Sequence, residues 1–297
     1  MNILLTGSGG FLGGHLFNSI NKNHNVYRAV HSKNRYSCLE DKSRVFLINK
    51  KNIKEFFKNN KVDLIINAGN SYGRGKTLTS KVYNSNFFIP LLILEESLNY
   101  NVKSFIYFDT FFNNGNEFNN YMQSYVYSKK HFSEMVRIFQ NKLRIFQLKI
   151  FHMYGFGDGK EKFVPWFIQQ LFNKTENIKL SDGYQKRDFV NVLDVVNVVI
   201  QIINKIDNYE NGQYYYEVGT GNLTSVRDLC LMIKKSVEQK LIFDKFPNLL
   251  FGAIKENGDP LLEYSANLNY LLDSKLIPPQ ISLEDGVKEL IENYARQ

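Results

Sequence analysis

The sequence predicts an α/β protein on a doubly wound parallel sheet, with a smaller C-terminal α/β region, and three observations carry that prediction. The chain opens with the apolar run Ile3-Leu4-Leu5, which feeds directly into the glycine-dense turn Gly7-Ser-Gly-Gly-Phe-Leu-Gly13. Strand-like and helix-like stretches then alternate to about residue 150, the pattern of a parallel sheet built from strand–helix crossovers. Past that point the alternation gives way to irregular segments with scattered glycines.

Ile3 to Leu5 make a short buried strand, and the turn after it is a phosphate cradle in form. Gly7, Gly10 and Gly13 fit the spacing G-x-x-G-x-x-G, whereas G-x-G-x-x-G fails because Leu12 holds the third glycine's place. A helix from Phe11 to about Asn21 aims its first N–H groups and positive dipole end at an anion. Gly7, Gly10, Phe11 and Leu12 are therefore expected to hold a dinucleotide in a Rossmann-like domain. The plain alternative is a glycine-rich turn with no ligand.

A second strand, Asn25 to Val30, ends where a dinucleotide's adenosine ribose belongs. No acidic residue follows it. The stretch His31-Ser32-Lys33-Asn34-Arg35 instead suits a 2′-phosphate, so NADP(H) is the expected cofactor and NAD(H) the alternative. A third strand is expected at Val45 to Ile48, a helix from Ile53, and a fourth strand from Val62 to Asn67. Ala68 and Gly69 then let a cofactor lie against the backbone, and Ser71 and Tyr72 are placed toward a substrate. Val82 to Asn101 reads as one long helix containing Asn86, and Val102 to Asp109 as a fifth strand leading into Thr110.

The segment from Asn120 to about Gln140 reads as the helix that carries the chemistry. Tyr125 and Lys129 are four residues apart and share a face, so the ammonium is expected to favour the phenolate and to hold a ribose. A free tyrosine titrates near ~10, and a neighbouring cation is expected to bring it toward a working acid/base range. Among the 18 tyrosines the same spacing recurs at Tyr72 and Lys76, where Gly73 and Gly75 argue against a helix. The alternative is a surface aromatic beside a solvated lysine.

A sixth strand, Leu143 to Phe151, leads to His152, which is either a pocket group or a satisfied core histidine. Beyond it, Lys162-Phe163, Gln185-Lys-Arg187-Asp-Phe189 and Glu217-Val-Gly-Thr-Gly221 read as a substrate region. Arg187 is expected to fork onto a diphosphate, or else to be a surface charge beside Asp188. Ser225 is expected to cap a helix from Val226 to Val237.

At 297 residues and 43% hydrophobic content the chain can bury a cofactor domain at 1–155 that shares its core with a substrate region at 156–297. No run approaches the ~20 apolar residues of a membrane span and no signal peptide is read, so a cytoplasmic location is expected. Cys38 and Cys230 lie far apart without metal-ligand spacing, so neither is expected to be catalytic and no metal is expected. The net charge of +8 is spread rather than clustered, which favours a small anionic ligand over nucleic acid.

Thr6-Gly-Ser-Gly-Gly-Phe-Leu-Gly13, Thr110, Tyr125-x-x-x-Lys129, Tyr154-Gly-x-Gly-Asp158 and Arg187-Asp-Phe189, in that order, resemble the extended short-chain dehydrogenase/reductases, the sugar-nucleotide epimerase/dehydratase family. Phe108-Asp-Thr-Phe-Phe112, His152-Met-Tyr-Gly155 and Ser71-Tyr-Gly-Arg74 are most similar to its branch of CDP-abequose and CDP-paratose synthases, which are NADPH-dependent 4-ketosugar reductases of O-antigen synthesis. The resemblance implies that Tyr125 protonates an alkoxide, that Lys129 holds the nicotinamide ribose, and that Thr110 binds the carbonyl. It assigns Asn86 and His152 to the cofactor's surroundings, Arg187 and Phe189 to a nucleotide diphosphate, and Phe163 to the substrate. It also implies a homodimer through the helices from Val82 and Asn120, the alternative being that their apolar faces are core. Two positions depart from the family pattern. His152 stands where most of the wider family has Asn, and Ile254-Lys-Glu-Asn-Gly258 lacks an arginine, with Lys255 available in its place. The rivals are a 4-epimerase with tightly held NAD, a reductase of dTDP- or GDP-linked sugars, and a non-catalytic nucleotide sensor.

Overall fold

The computed structural model describes residues 1–30, 44–49, 51–114, 122–241, 245–255 and 263–296. The chain divides into two compact units, Met1–Ile150 with Val198–Glu217, and Phe151–Asn197 with Val218–Gln297.

In the first unit the strands are β1 (Asn2–Thr6), β2 (Asn25–Val30), β3 (Val45–Leu47), β4 (Leu64–Asn67), β5 (Ser104–Thr110), β6 (Arg144–Ile150) and β7 (Gly212–Val218). They form one seven-stranded sheet in the order β7-β6-β5-β4-β1-β2-β3. β1 to β6 pair in parallel, with Ile3 beside both Val26 and Leu64. Such strands must be apolar on both faces, and β5 is buried at all seven positions. Helices α1 (Phe11–Ile20), α2 (Ile53–Asn59), α3 (Thr79–Tyr83), α4 (Ile89–Leu98) and α5 (Gln123–Met135) supply the crossovers. On one face Leu4, Ile65, Phe105 and Ile145 pack with Phe56, Ile93, Leu94 and Phe132 from α2, α4 and α5. Each such side chain contributes about 1.5–3 kcal/mol on burial. The strand order reverses between β1 and β4, and open α/β sheets bind ligands at that switch point.

Three expected elements differ from the sequence reading. Residues 82–101 are not one helix: α3 widens into a π turn over Asn84–Phe88 before α4 begins. Pro90 has no N–H to return to the carbonyl of Asn86, and Ile89 bonds instead to the Asn84 carbonyl. The helix expected over 120–140 is α5 followed by a 3-10 turn at Val136–Phe139, and Asn120 lies outside the described residues. The sixth strand stops at Ile150, because the Phe151 and His152 amides turn to the carbonyls of Val218 and Asp188.

In the second unit, His152–Tyr154 pairs in parallel with Phe189–Asn191, and Lys186–Arg187 pairs antiparallel with Thr224–Ser225. Helices Phe163–Phe172, Val226–Lys240 and Leu283–Ala295 close over a core that includes Phe167, Ile168, Leu229, Ile233 and Leu290. Ser225 does cap its helix, accepting from the Asp228 amide at 2.9 Å.

Candidate active site

The glycine turn folds as the spacing requires. Gly7 has φ +68°, a left-handed conformation that glycine adopts without strain, and its amide donates to the Ala29 carbonyl at 3.1 Å. A Cβ on Gly7 would collide with the backbone of Ala68 and Gly69, and one on Gly13 with the backbone of Gly7 and Ser8. The Gly10 amide donates to the Gly7 carbonyl at 2.9 Å, and Gly10 is the N-cap of α1. No side-chain hydrogen bond caps that helix and its first turn carries no acid, so its positive end suits an anion. Phe11 and Leu12 are its first two residues.

The carboxyl ends of β1 and β4 are tied together. The Thr6 hydroxyl donates to Asn67 Oδ1 at 2.6 Å and accepts from the Gly69 amide at 3.2 Å. This brings Ala68 and Gly69 onto the glycine turn. The π turn then aims Asn86 inward, where its carboxamide accepts from the Ser71 amide and donates to the Ser71 carbonyl, each at 2.8 Å. It also donates to Ser128 Oγ at 3.0 Å, so Asn86 anchors the loop after β4 to α5.

Thr110 ends β5, and Tyr125 and Lys129 face it from one side of α5, all three buried. The Tyr125 phenol has Thr110 and Asn70 as polar neighbours, and the Tyr72 ring lies 5.0 Å away. The Arg74 guanidinium sits 5.3 Å from the Tyr72 ring. Lys129 Nζ donates to the Phe108 carbonyl at 2.8 Å. Burial pushes the Lys129 ammonium down to about 8, against the raising effect of the Asp109 carboxylate.

Tyr125 departs from expectation. Burial, followed by the neighbouring Tyr72, pushes its phenol well above the ordinary value, and Thr110 and Asn70 only partly offset this. Removal from water dominates, so the resting group is the neutral phenol. Asn70 and Asp109 were not singled out in the sequence. The one is a lone polar residue after Ala68-Gly69, and the other adjoins Thr110; position relative to those residues was the available signal.

His152, Phe163, Arg187, Phe189 and Lys255 lie in the second unit. His152 is partly buried, and loss of solvent together with the Arg187 guanidinium pushes its imidazole down to about 3, so it is neutral. Its ring meets Phe189 edge-on at 5.8 Å. Arg187 is 4% exposed and donates from Nη1 to the Lys186 carbonyl, which corrects the surface-charge alternative. Asp188 accepts from the amides of Thr220, Gly221 and Ala266 and from the Thr220 hydroxyl, organising those loops. Phe163 is exposed at the start of its helix and stacks on Phe167 at 6.0 Å. Lys255 is exposed. His31, Ser32, Lys33 and Arg35 lie outside the described residues, as does Cys38. Cys230 is buried and its thiol is pushed up to about 12. Among the described residues no group of His, Cys, Asp or Glu is placed to hold a metal, and no helix is long and apolar enough to cross a membrane.

Known proteins resemble the chain in sequence and in fold. The chain is 29% identical over 296 residues to a CDP-abequose synthase of Salmonella muenchen, covering 97% of this chain and 96% of the relative. A CDP-abequose synthase of Salmonella typhimurium is 27% identical over 304 residues, covering 98% and 97%. In structure it is similar to a UDP-glucose 4-epimerase from Thermotoga maritima solved with UDP-glucose, at a TM-score of 0.80 and 20% identity over 100% of this chain and 99% of that one. That likeness concerns the fold. Residues 3–219 match the NAD dependent epimerase/dehydratase family, and with the glycine cradle, Thr110, Tyr125 and Lys129 in place the chain belongs to that family.

Proposed function

We propose that the protein is an NADPH-dependent reductase of the C4 keto group of a nucleotide-linked deoxyhexose, with a CDP-4-keto-3,6-dideoxyhexose as its substrate. The observation that carries this reading is the placing of Thr110 at the end of β5 with Tyr125 and Lys129 on one side of α5, all three buried. A reduction needs a proton donor at the oxygen that becomes an alkoxide, and a neutral phenol is that donor. The full-length similarity to CDP-abequose synthases supports the sugar and the base.

The cradle fits a dinucleotide, since a Cβ at Gly7 or Gly13 would occupy the space that lets the backbone turn approach a pyrophosphate. Gly7, Gly10, Phe11 and Leu12 would hold the pyrophosphate, Ala68 and Gly69 the adenosine side, and Lys129 the nicotinamide ribose. The nicotinamide supplies a hydride when bound. Thr110 orients the carbonyl, and Tyr125 holds the proton at its phenolic oxygen and gives it up as negative charge develops there. Lys129 as an ammonium stabilises the phenolate left behind. Neutral His152 adds no charge, while Arg187, Phe189, Phe163 and Lys255 serve the nucleotide part of the substrate.

Incubation with NADPH and CDP-, dTDP-, GDP- and UDP-linked 4-ketosugars tests this. The expected result is one NADPH oxidised per alcohol formed, with the CDP-linked substrate preferred and the product stereochemistry read by NMR. Interconversion of C4 epimers without net loss of NADPH would replace the reading with an epimerase.

A further inference from the structure

Asp109, the residue before Thr110, is 5% exposed at the carboxyl end of β5. A carboxylate in that position is costly unless every lone pair is used. Asp109 Oδ1 accepts from the Thr110 amide at 2.8 Å and from Asn113 Nδ2 at 2.6 Å. Its Oδ2 accepts from Ser133 Oγ at 3.2 Å and Gln147 Nε2 at 2.8 Å. The four donors come from the strand end itself, the turn after it, α5 and β6. Ser133 stands one helical turn beyond Lys129 on the same face of α5, and Gln147 is braced in turn by Gln213 Nε2 of β7 at 2.9 Å.

We propose that Asp109 is the positioning residue of this site: it fixes the Thr110 peptide through a direct hydrogen bond and, through Ser133, the turn of α5 that follows Lys129. The inference rests on the reductase reading for its kinetic consequence and on hydrogen-bond geometry for the positioning. Three features separate this role from a merely structural one. The carboxylate grips the backbone of the residue whose hydroxyl meets Tyr125, so a displaced Asp109 displaces that hydroxyl. Its hydrogen bond to Ser133 locks the turn of α5 that follows Lys129. Finally, its charge acts on Lys129 against the effect of burial. The titratable groups facing Asp109 are Lys129 and Tyr125 on α5, Tyr107 on β5 and Lys149 on β6, which itself lies 3.9 Å from Glu217. Arg137 faces Tyr107 from beyond α5. Of these, Lys129 is the one whose charge the proposed chemistry uses.

Asp109→Asn keeps the shape of the side chain and removes the charge. It also sets its own N–H groups against donors: the Ser133 hydroxyl and Gln147 Nε2 if the nitrogen takes the place of Oδ2, or the Thr110 amide and Asn113 Nδ2 if it takes the place of Oδ1. The expected result, in protein that unfolds within a few degrees of the parent, is a kcat lower by about tenfold to 100-fold, with NADPH affinity at neutral pH changed by less than about threefold. The high-pH limb of the kcat profile should move toward acid by about one pH unit, the scale of a lost neighbouring charge. The Lys129 midpoint, followed by NMR of 13C-labelled lysine and assigned with Lys129→Arg, should fall by a similar amount. That titration needs no substrate. If the parent reduces no 4-ketosugar, the functional reading fails while the NMR shift still decides the role of Asp109. Unchanged kcat and an unmoved Lys129 midpoint in folded Asp109→Asn would overturn the proposal. If that variant does not fold, Asp109→Glu decides: it keeps the charge and displaces the carboxylate, so kcat should fall with the Lys129 midpoint near the parent's, and full activity would overturn the positioning role.

Discussion

Lys129 shows how one side chain serves the proposed chemistry at the expense of the fold. Its ammonium falls from 10.5 to about 8 on burial, so between those values the unfolded chain binds more protons than the folded one. Stability attributable to this residue therefore rises with pH from about 8 to 10.5, and below 8 the buried charge costs the fold about 3 kcal/mol. Lys129→Met should raise the stability at pH 7 by about 1–2 kcal/mol once the lost bond to the Phe108 carbonyl is deducted, while abolishing turnover. Thermal unfolding at pH 7 and pH 10 checks this, since the variant's advantage should shrink at the higher pH. In the parent, turnover should decline as pH rises through about 8, where the ammonium is lost. Tyr125→Phe should leave NADPH binding nearly intact and slow reduction by ~100-fold or more, measured by single-turnover NADPH oxidation. The pairing of Tyr125 with Lys129 was legible in the sequence because four-residue spacing fixes a helix face. The direction of the phenol's shift was not, because it depends on burial by Tyr72 and its surroundings, which no local pattern records.

At the scale of elements, β1, the glycine turn and α1 were readable because each step is local chemistry: an apolar run, a turn that needs positive φ, a helix with no side-chain cap. The π turn was not, since the apolar periodicity of 82–101 continues straight through Pro90, and only the missing N–H reveals the break. That break puts Asn86 on the loop carrying Ser71. The two adjacent glycines of α1 offer a sharp contrast. Gly13→Ala places a methyl against the backbone of Gly7 and Ser8, where no rotamer relieves it, and should cost about 1–3 kcal/mol and weaken NADPH binding at least tenfold. Gly14→Ala meets nothing within 4 Å inside the same helix and should stabilise by up to about 1 kcal/mol with affinity unchanged. Melting temperature and NADPH fluorescence titration on the pair distinguish cradle geometry from helix propensity.

For the molecule as a whole, β1 to β6 come from one strand–helix alternation, whereas β7 joins β6 from more than sixty residues later, with the Gly212 amide donating to the Leu143 carbonyl at 3.0 Å. Local pattern does not encode such a return, and Gly212–Val218 was not read as a strand. The same separation organises the proposed binding. Gly7, Gly10, Thr110, Tyr125 and Lys129 belong to the first unit, and Arg187, Phe189, Phe163 and Lys255 to the second. Variants of the second set should therefore impair the sugar nucleotide and spare NADPH. Arg187 is the decisive case, because its planar fork presents paired donors to phosphate oxygens and lysine offers a single point charge. Arg187→Lys should raise the Michaelis constant for the sugar nucleotide roughly tenfold to 150-fold, the equivalent of about 1.5–3 kcal/mol, with kcat changed much less. Because Arg187 is buried, its melting temperature must be measured alongside, and a folded variant with normal NADPH affinity makes the kinetic comparison valid. Lys255 is exposed, so Lys255→Ala carries little risk to folding and should add a smaller loss of the same kind. If both folded variants bind the sugar nucleotide as tightly as the parent, the diphosphate is held by other residues, and the proposed roles of Arg187 and Lys255 fall together.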